Sequence, residues 1–215
     1  MVKVKICGVK KLESALQLDG LVDYIGFVHS LLGGPRSVPL EAARIMASQI
    51  EKSKTVLVVH GSSPSYAAAA ADGFDVLQYH EPLLPSSAAS LQATLDPLGV
   101  TLAVVVEYTG SAWKPQEPCG YINELNKEGV EPEYILLDTT KGLRDRIPLN
   151  EAAKASRCSH RVGLAGGLTP RDACKAVETG VSLIDVSRGV ETGVPGVKDP
   201  LLSAELIMGA KRCSS

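Results

Sequence analysis

The chain has 215 residues, of which 45% are hydrophobic and 4% are aromatic, and its formal net charge at pH 7 is -2. This length fits one domain with a substantial core, and we expect residues 1–215 to form a single domain. The near-neutral charge gives no electrostatic reason to expect a nucleic-acid or membrane partner. The uncharged run 82–95 contains two prolines and is too short to span a bilayer. These features predict a soluble protein.

The five cysteines are odd in number and lack the Cys-x-x-Cys spacing that is typical of zinc sites. We therefore expect no disulfide framework, no metal site and a reducing, cytoplasmic setting. The first predicted strand starts at residue 2, which leaves no room for a signal peptide. Four cysteines are expected to be inert, small hydrophobic side chains: Cys119, Cys158, Cys174 and Cys213.

Short apolar strands alternate with amphipathic segments along the whole chain. Each strand is a near-continuous run of Val, Ile and Leu, which is typical of a parallel sheet covered on both faces. The predicted strands are 2–7, 24–28, 55–59, 76–79, 102–107, 134–137, 162–164 and 183–186.

Proline and capping residues mark the helix starts between these strands. Pro39 and Pro64 each open a helix, and Asp199 precedes the last helix, which we expect to end near residue 210. The remaining predicted starts are Ser86 or Ser87 as one cap, and Thr169 followed by Pro170.

Eight strands alternating with helices predict an α/β fold, a (β/α)8 TIM barrel. An open doubly wound sheet is the alternative. That fold normally has a Gly-x-Gly-x-x-Gly turn after its first strand, whereas this chain has Cys7-Gly8-Val9-Lys10. We favour the barrel, in which chemistry is expected at the carboxyl ends of the strands.

Two glycine-containing turns near the C-terminus are suited to phosphate. Gly166 and Gly167 follow the seventh strand, and Ser187, Arg188 and Gly189 follow the eighth. Paired glycines allow backbone N–H groups to approach an anion, and the next helix directs its positive end there. Either turn alone is explained by tight turning, but two such turns on adjacent strands favour a phosphate site.

Cys7 and Asp138 end the first and sixth strands and form a candidate base and acid. A thiol with an ordinary pKa near 8.5 is only ~3% thiolate at pH 7, so a catalytic Cys7 needs cationic neighbours such as Lys5. Desolvation would raise the pKa of Asp138 and suit it to general acid catalysis. The competing role of Asp138 is to cap the following loop.

Other polar residues stand at neighbouring strand ends. Arg36 follows the second strand and is suited to binding a carboxylate, although an arginine there is often only a surface residue. Gln78 and His80 straddle the end of the fourth strand and are expected to line the pocket. Asp185 shares the ambiguity of Asp138. The four histidines show no metal-ligand spacing.

Taken together, these segments resemble the phosphoribosylanthranilate isomerase family of tryptophan biosynthesis, in the family's order along the chain. The matching segments are Lys5-Ile6-Cys7-Gly8, Gly26-Phe27-Val28, Pro35-Arg36-Ser37-Val38, Gln78-Tyr79-His80, Leu136-Leu137-Asp138-Thr139, Leu164-Ala165-Gly166-Gly167-Leu168-Thr169-Pro170, Asp185-Val186-Ser187-Arg188-Gly189-Val190-Glu191 and Pro195-Gly196-Val197-Lys198-Asp199.

The resemblance implies a cofactor-free Amadori rearrangement of N-(5-phosphoribosyl)anthranilate, a small-molecule substrate. It implies that Cys7 removes the C2 proton of the sugar, that Asp138 protonates the ring oxygen, and that Arg36 meets the anthranilate carboxylate. The two glycine-containing turns would bind the phosphate. A homodimer is compatible with the sequence, which does not fix the oligomeric state.

Three departures from the family pattern stand out. The family's glycine-rich loop after the aspartate is replaced by the shorter stretch 140–146, where we expect Lys141 or Arg144 to supply positive charge. Arg188 replaces a second serine, and Glu81 replaces a glycine after His80. Two alternative functions therefore stay open: isomerisation of a different aminoribosyl phosphate, and non-catalytic binding of phosphate ligands or a protein partner.

Overall fold

The computed structural model describes residues 1–139 and 146–214. Its sheet is a closed barrel of eight parallel strands in the order β1, β2, β3, β4, β5, β7, β8, β9, and the pairing of β9 with β1 completes the ring. The strands are β1 (Lys3–Cys7), β2 (Tyr24–Ser30), β3 (Lys54–His60), β4 (Val76–Tyr79), β5 (Thr101–Tyr108), β6 (Trp113–Lys114), β7 (Ile135–Thr139), β8 (Val162–Leu164) and β9 (Leu183–Val186).

The predicted barrel is confirmed, and each predicted strand is present with bounds that agree within two residues. The short strand β6 was not predicted. It pairs antiparallel with the end of β5 and lies outside the ring of parallel strands. Its two residues carry no apolar run that could distinguish them from a loop, because their strand geometry comes only from pairing with β5.

The helices are α1 (Leu12–Leu18), α2 (Leu40–Ala47), α3 (Pro64–Ala70), α4 (Pro85–Leu95), α5 (Pro118–Lys127), α6 (Leu149–Ser156), α7 (Ala173–Val177) and α8 (Pro200–Cys213). None of the described helices combines the length and apolar content needed to cross a bilayer. Short 3₁₀ turns at Asp96–Leu98, Pro170–Asp172 and Arg188–Val190 complete the connections.

Most predicted helix starts hold, with small shifts. Thr169 forms a reciprocal capping box with Asp172, although the turn it opens is 3₁₀ before α7 begins. Asp199 accepts hydrogen bonds from the first amides of α8. The expected cap of α4 at Ser86 or Ser87 is wrong, because Pro85 already occupies the first turn and the cap position falls on Leu84.

Two apolar layers hold the barrel together. The larger packs the outward faces of the strands against the helices. The smaller fills the barrel interior and includes Tyr24, Tyr134 and Cys7. Polar side chains are also buried inside, namely Lys5, Gln78 and Asp185. Burying polar groups costs free energy unless they are paired, so these residues indicate where in the barrel interior a functional site is expected.

The expectation of four unpaired cysteines is wrong. Cys119 in α5 is bonded to Cys158, which follows α6, and Cys174 in α7 is bonded to Cys213 at the end of α8. The odd count arises because Cys7 stays free. Each bonded pair is 39 residues apart, and the partners meet only because consecutive helices lie side by side around the barrel.

Candidate active site

A cleft of about 760 Å³ opens at the carboxyl ends of the strands. It brings together ten of the eleven residues that the sequence predicted for the site: Cys7, Arg36, Gln78, His80, Asp138, Gly166, Gly167, Asp185, Ser187 and Arg188. Gly189 does not line the cleft. A Cβ at this position would collide with the backbone carbonyl of Leu168, so glycine here allows the turn after β9 to pack on the turn after β8.

Cys7 is placed by β1 so that its side chain lies in the barrel interior, at the floor of the cleft. Gly26 on the neighbouring strand makes room for it, because a Cβ there would come within 2.9 Å of Sγ. Burial raises the pKa of the Cys7 thiol, and the nearby ammonium groups of Lys5 and Lys198 oppose that rise. The thiolate therefore depends on these two cations.

Lys5 forms a buried ion pair with Asp185, with Nζ 2.6 Å from Oδ2. Burial lowers the pKa of Lys5, but the Asp185 carboxylate outweighs it and leaves the pKa above its ordinary value. Lys5 is therefore charged at the base of the cleft. Within the described residues, Oδ1 of Asp185 has no hydrogen-bond partner.

Asp138 stands at the opposite wall, near the end of β7, with 21% of its side chain exposed. Burial raises the pKa of its carboxyl to about 7, although the backbone N–H of Thr139, 2.7 Å from Oδ1, acts in the opposite direction. That hydrogen bond is the local contact expected of a loop-capping aspartate. The second oxygen, Oδ2, faces the cleft and lies 3.7 Å from Nε2 of His80.

Gln78 and His80 extend this wall. The Gln78 amide nitrogen lies 2.8 Å from Nδ1 of His80, and its amide oxygen accepts a hydrogen bond of 2.8 Å from the Tyr134 hydroxyl. Gln78 and Tyr134 are both buried. Tyr134 was not predicted as part of the site, because a tyrosine just before a strand is indistinguishable from a core residue in the sequence.

Arg36 reaches the cleft from the loop after β2, where its guanidinium forms a bidentate pair with Glu191 through Nε (2.7 Å) and Nη2 (2.6 Å). Nη1 takes no part in this pair. Lys198 also contacts Glu191, at 3.2 Å, and donates to the carbonyl oxygen of Ser187. Glu191 and Lys198 lie within the matched C-terminal motifs, but their pairing with Arg36 was missed because it joins distant parts of the chain.

The two glycine-containing turns also line the cleft. Gly166 and Gly167 have φ of +90° and +73°, a backbone conformation that favours glycine. The Ser187 hydroxyl donates to the carbonyl oxygen of Cys7 at 3.0 Å, so its oxygen remains available as an acceptor. Arg188 is exposed and lines the cleft.

Arg146 adds a cation to the cleft wall and pairs with Asp172 at 2.6 Å. The predicted role of Lys141 or Arg144 falls on residues outside the described ranges. No group of three or more His, Cys, Asp or Glu side chains in 1–139 and 146–214 is placed to hold a metal ion.

A family model described as N-(5′-phosphoribosyl)anthranilate isomerase matches residues 4–208. The chain belongs to this family. A relative of that name from Pyrobaculum aerophilum is 39% identical over 207 residues, which cover 93% of each chain. The predicted enzyme class, an isomerase of tryptophan biosynthesis, is thereby confirmed.

Solved structures of the family agree with the barrel. A phosphoribosylanthranilate isomerase in complex with reduced 1-(o-carboxyphenylamino)-1-deoxyribulose 5-phosphate has a TM-score of 0.75 and 25% identity, covering 99% of this chain and 100% of the other. Monomers made from the dimeric Thermotoga maritima enzyme have a TM-score of 0.73 and 26% identity, covering 98% and 99%.

Proposed function

We propose that the chain catalyses the Amadori rearrangement of N-(5′-phosphoribosyl)anthranilate to 1-(2-carboxyphenylamino)-1-deoxyribulose 5-phosphate, with Asp138 as general acid and Cys7 as general base. One observation carries the proposal: an acid with a pKa raised to about 7 and a thiol beside two ammonium groups line the same cleft, next to two glycine-containing turns. The reaction needs one acid, one base and an anchor at each end of the substrate.

The first step uses Asp138. At neutral pH a carboxyl with a pKa of about 7 is partly protonated, so it can donate a proton to the furanose ring oxygen and open the ring to a Schiff base. The resulting carboxylate keeps the hydrogen bond from the Thr139 amide. Protonation at this oxygen also requires the ribose to lie between Asp138 and the floor of the cleft.

The second step uses Cys7. Its thiolate removes the C2 proton, and the electron pair of that C–H bond moves into the protonated Schiff base to give an enolamine, which tautomerises to the ketone. The positive charge of the protonated Schiff base adds to that of Lys5 and Lys198 and favours the thiolate when the base is needed. No electron acceptor is required, because oxidation at C2 is balanced by reduction at C1.

The substrate anchors complete the proposal. Nη1 of Arg36 is the guanidinium nitrogen that we assign to the anthranilate carboxylate, while Glu191 holds the other side of the fork. The amides at Gly166 and Gly167, with Arg188, are assigned to the 5′-phosphate. Gly189 is not assigned to the phosphate. It lets the turn after β9 pack closely on the turn after β8.

The test is the loss of phosphoribosylanthranilate fluorescence, followed with the purified protein and matched variants. Cys7→Ala and Asp138→Asn should each lose most turnover, whereas Arg36→Ala should chiefly raise KM. Asp72→Asn, at an exposed position, serves as the charge-matched control and should keep full activity. Full activity in Cys7→Ala would refute the base assignment.

The same assay separates the alternatives. Turnover of another aminoribosyl phosphate in preference to phosphoribosylanthranilate would indicate altered specificity. Thermal stabilisation by a product analogue without turnover would indicate a binding protein.

We further infer a homodimer, because the Thermotoga maritima relative is described as dimeric. Sedimentation velocity tests this inference, and a single monomer peak at micromolar concentration would refute it. The cytoplasmic location stays a prediction. The two disulfides are unusual for a reducing compartment, so fractionation of the source cells is the measurement that decides it.

A further inference from the structure

Gln78 links a buried hydroxyl to the imidazole beside the proposed acid. The Tyr134 hydroxyl donates to the amide oxygen of Gln78, so the amide nitrogen is directed toward Nδ1 of His80. Gln78 is only 1% exposed and Tyr134 only 2%, so water does not compete for either group. In this arrangement the amide oxygen faces the Tyr134 hydroxyl and the amide nitrogen faces the imidazole.

This orientation has a consequence for the imidazole. An amide nitrogen only donates hydrogen bonds, so Nδ1 of His80 must accept and cannot carry a proton. A neutral imidazole has one ring proton, which then lies on Nε2. Nε2 is the nitrogen that faces Oδ2 of Asp138 at 3.7 Å.

We propose that Gln78 is a positioning residue that fixes His80 as the neutral Nε2–H tautomer, so that this N–H is directed at the Asp138 carboxyl. The proposal extends the proposed function, because the role of Asp138 as the acid gives the tautomer its catalytic meaning. After Asp138 has given up its proton, a small approach of the two side chains from 3.7 Å brings this N–H to hydrogen-bonding distance of the new carboxylate, and no proton has to move between the ring nitrogens first.

A neutral donor suits this place better than a cation. An imidazolium beside Asp138 would favour its carboxylate and remove the proton before substrate binds. Titratable groups of the described residues that line the cleft near this ring include His60 at the end of β3, whose ring centroid is 6.3 Å from that of His80, Glu107 in β5, and Asp138 itself. A buried amide that offers only a donor to Nδ1 disfavours the second ring proton.

The test combines a spectroscopic and a kinetic readout. Protein labelled with ¹⁵N at histidine reports the tautomer of His80 through its two ring-nitrogen shifts, assigned by their loss in His80→Asn. At pH 7.5 the wild type should show a protonated Nε2 and an unprotonated Nδ1. Gln78→Met removes the donor and should populate the other tautomer or the imidazolium, with a roughly tenfold or larger fall in kcat and little change in KM.

Two further variants provide a second perturbation and a matched control. Tyr134→Phe removes the hydroxyl that orients the amide and should produce the same change in tautomer, so the proposal stays testable if Gln78→Met does not fold. Gln17→Met, an exposed change of the same type in α1, should alter neither readout.

The outcomes are distinct. A proton on Nδ1 or an imidazolium in the wild type would overturn the proposal, and so would a changed tautomer with full kcat or a lost kcat with an unchanged tautomer. The NMR measurement needs no turnover. Failure of the proposed isomerase activity would therefore be seen separately, as absence of turnover in a wild type that still shows the Nε2–H tautomer.

Discussion

Replacing Lys5 with methionine should destabilise the barrel strongly, because it leaves the Asp185 carboxylate buried without its cation. The two side chains are 0% and 7% exposed, and the ion pair measures 2.6 Å. Oδ1 of Asp185 has no partner in the described part of the chain, so no other group there offsets the lost contact. Methionine has a length close to that of lysine, so the change removes charge with little loss of packing.

The size of the effect follows from this burial. Removing one partner of a buried ion pair costs about 3–5 kcal/mol, whereas replacing both partners is often nearly neutral. For a domain of this size, each kcal/mol lowers Tm by roughly 2–4 °C, so Lys5→Met should lower it by about 6–20 °C. The double variant Lys5→Met/Asp185→Asn should recover most of that loss.

Urea unfolding of the wild type, both single variants and the double variant measures the coupling in a double-mutant cycle. The same samples report on Cys7, since it is the free cysteine of the described residues. Its alkylation by iodoacetamide should be slower in Lys5→Met, because the thiolate loses a cation. A single variant that loses less than about 1 kcal/mol, or a double variant as unstable as Lys5→Met, would refute the reasoning.

Three more predictions follow. Cys158→Ser and Cys213→Ser each open a loop of 39 residues and should cost about 4 kcal/mol in urea unfolding; unchanged midpoints would mean that the disulfides do not form. In the folded protein the Asp138 carboxyl has a pKa raised to about 7, so it keeps a proton that the unfolded chain loses near pH 4. The resulting loss of folding stability is absent below pH 4, grows as the pH rises and is complete above pH 7. Asp138→Asn should therefore be more stable than wild type by up to about 4 kcal/mol at pH 8 and equal to it at pH 4, and the reverse order would contradict the raised pKa. Gly189→Ala should weaken inorganic phosphate binding tenfold or more in calorimetry, since its Cβ would displace a backbone carbonyl, while the helical control Gly120→Ala meets no close atom and should bind normally.

Sequence patterns located the barrel strands well because the information they carry is local. A strand buried on both faces needs a continuous apolar run whatever its neighbours are, and a proline or capping side chain marks a helix start within a few residues. Thr169 and Asp199 were recognised in this way. The placement of Cys7 and Asp138 in one cleft follows from strand order alone, since all barrel strands end on the same face.

Contacts between distant residues were not predictable in the same way. The pairing of Arg36 with Glu191 spans 155 residues, and no spacing rule relates the two positions. The absence of disulfides is a wrong prediction because an odd number of cysteines requires only one free thiol, and among the described residues that thiol is Cys7. Tyr134 cannot be distinguished from an ordinary core residue in the sequence, because its contribution to the site is a hydrogen bond from its hydroxyl to the amide oxygen of Gln78, 56 residues away.

The sequence by itself determined the order of strands and helices and the chemical groups at the strand ends, because these depend on local apolar pattern and on residue type. The tertiary structure decided which of these groups are buried and which charged groups lie beside them. Those properties depend on burial and on partners far along the chain: Lys5 holds its proton because Asp185 lies 2.6 Å away, and the pKa of Asp138 is raised because the barrel buries most of its side chain.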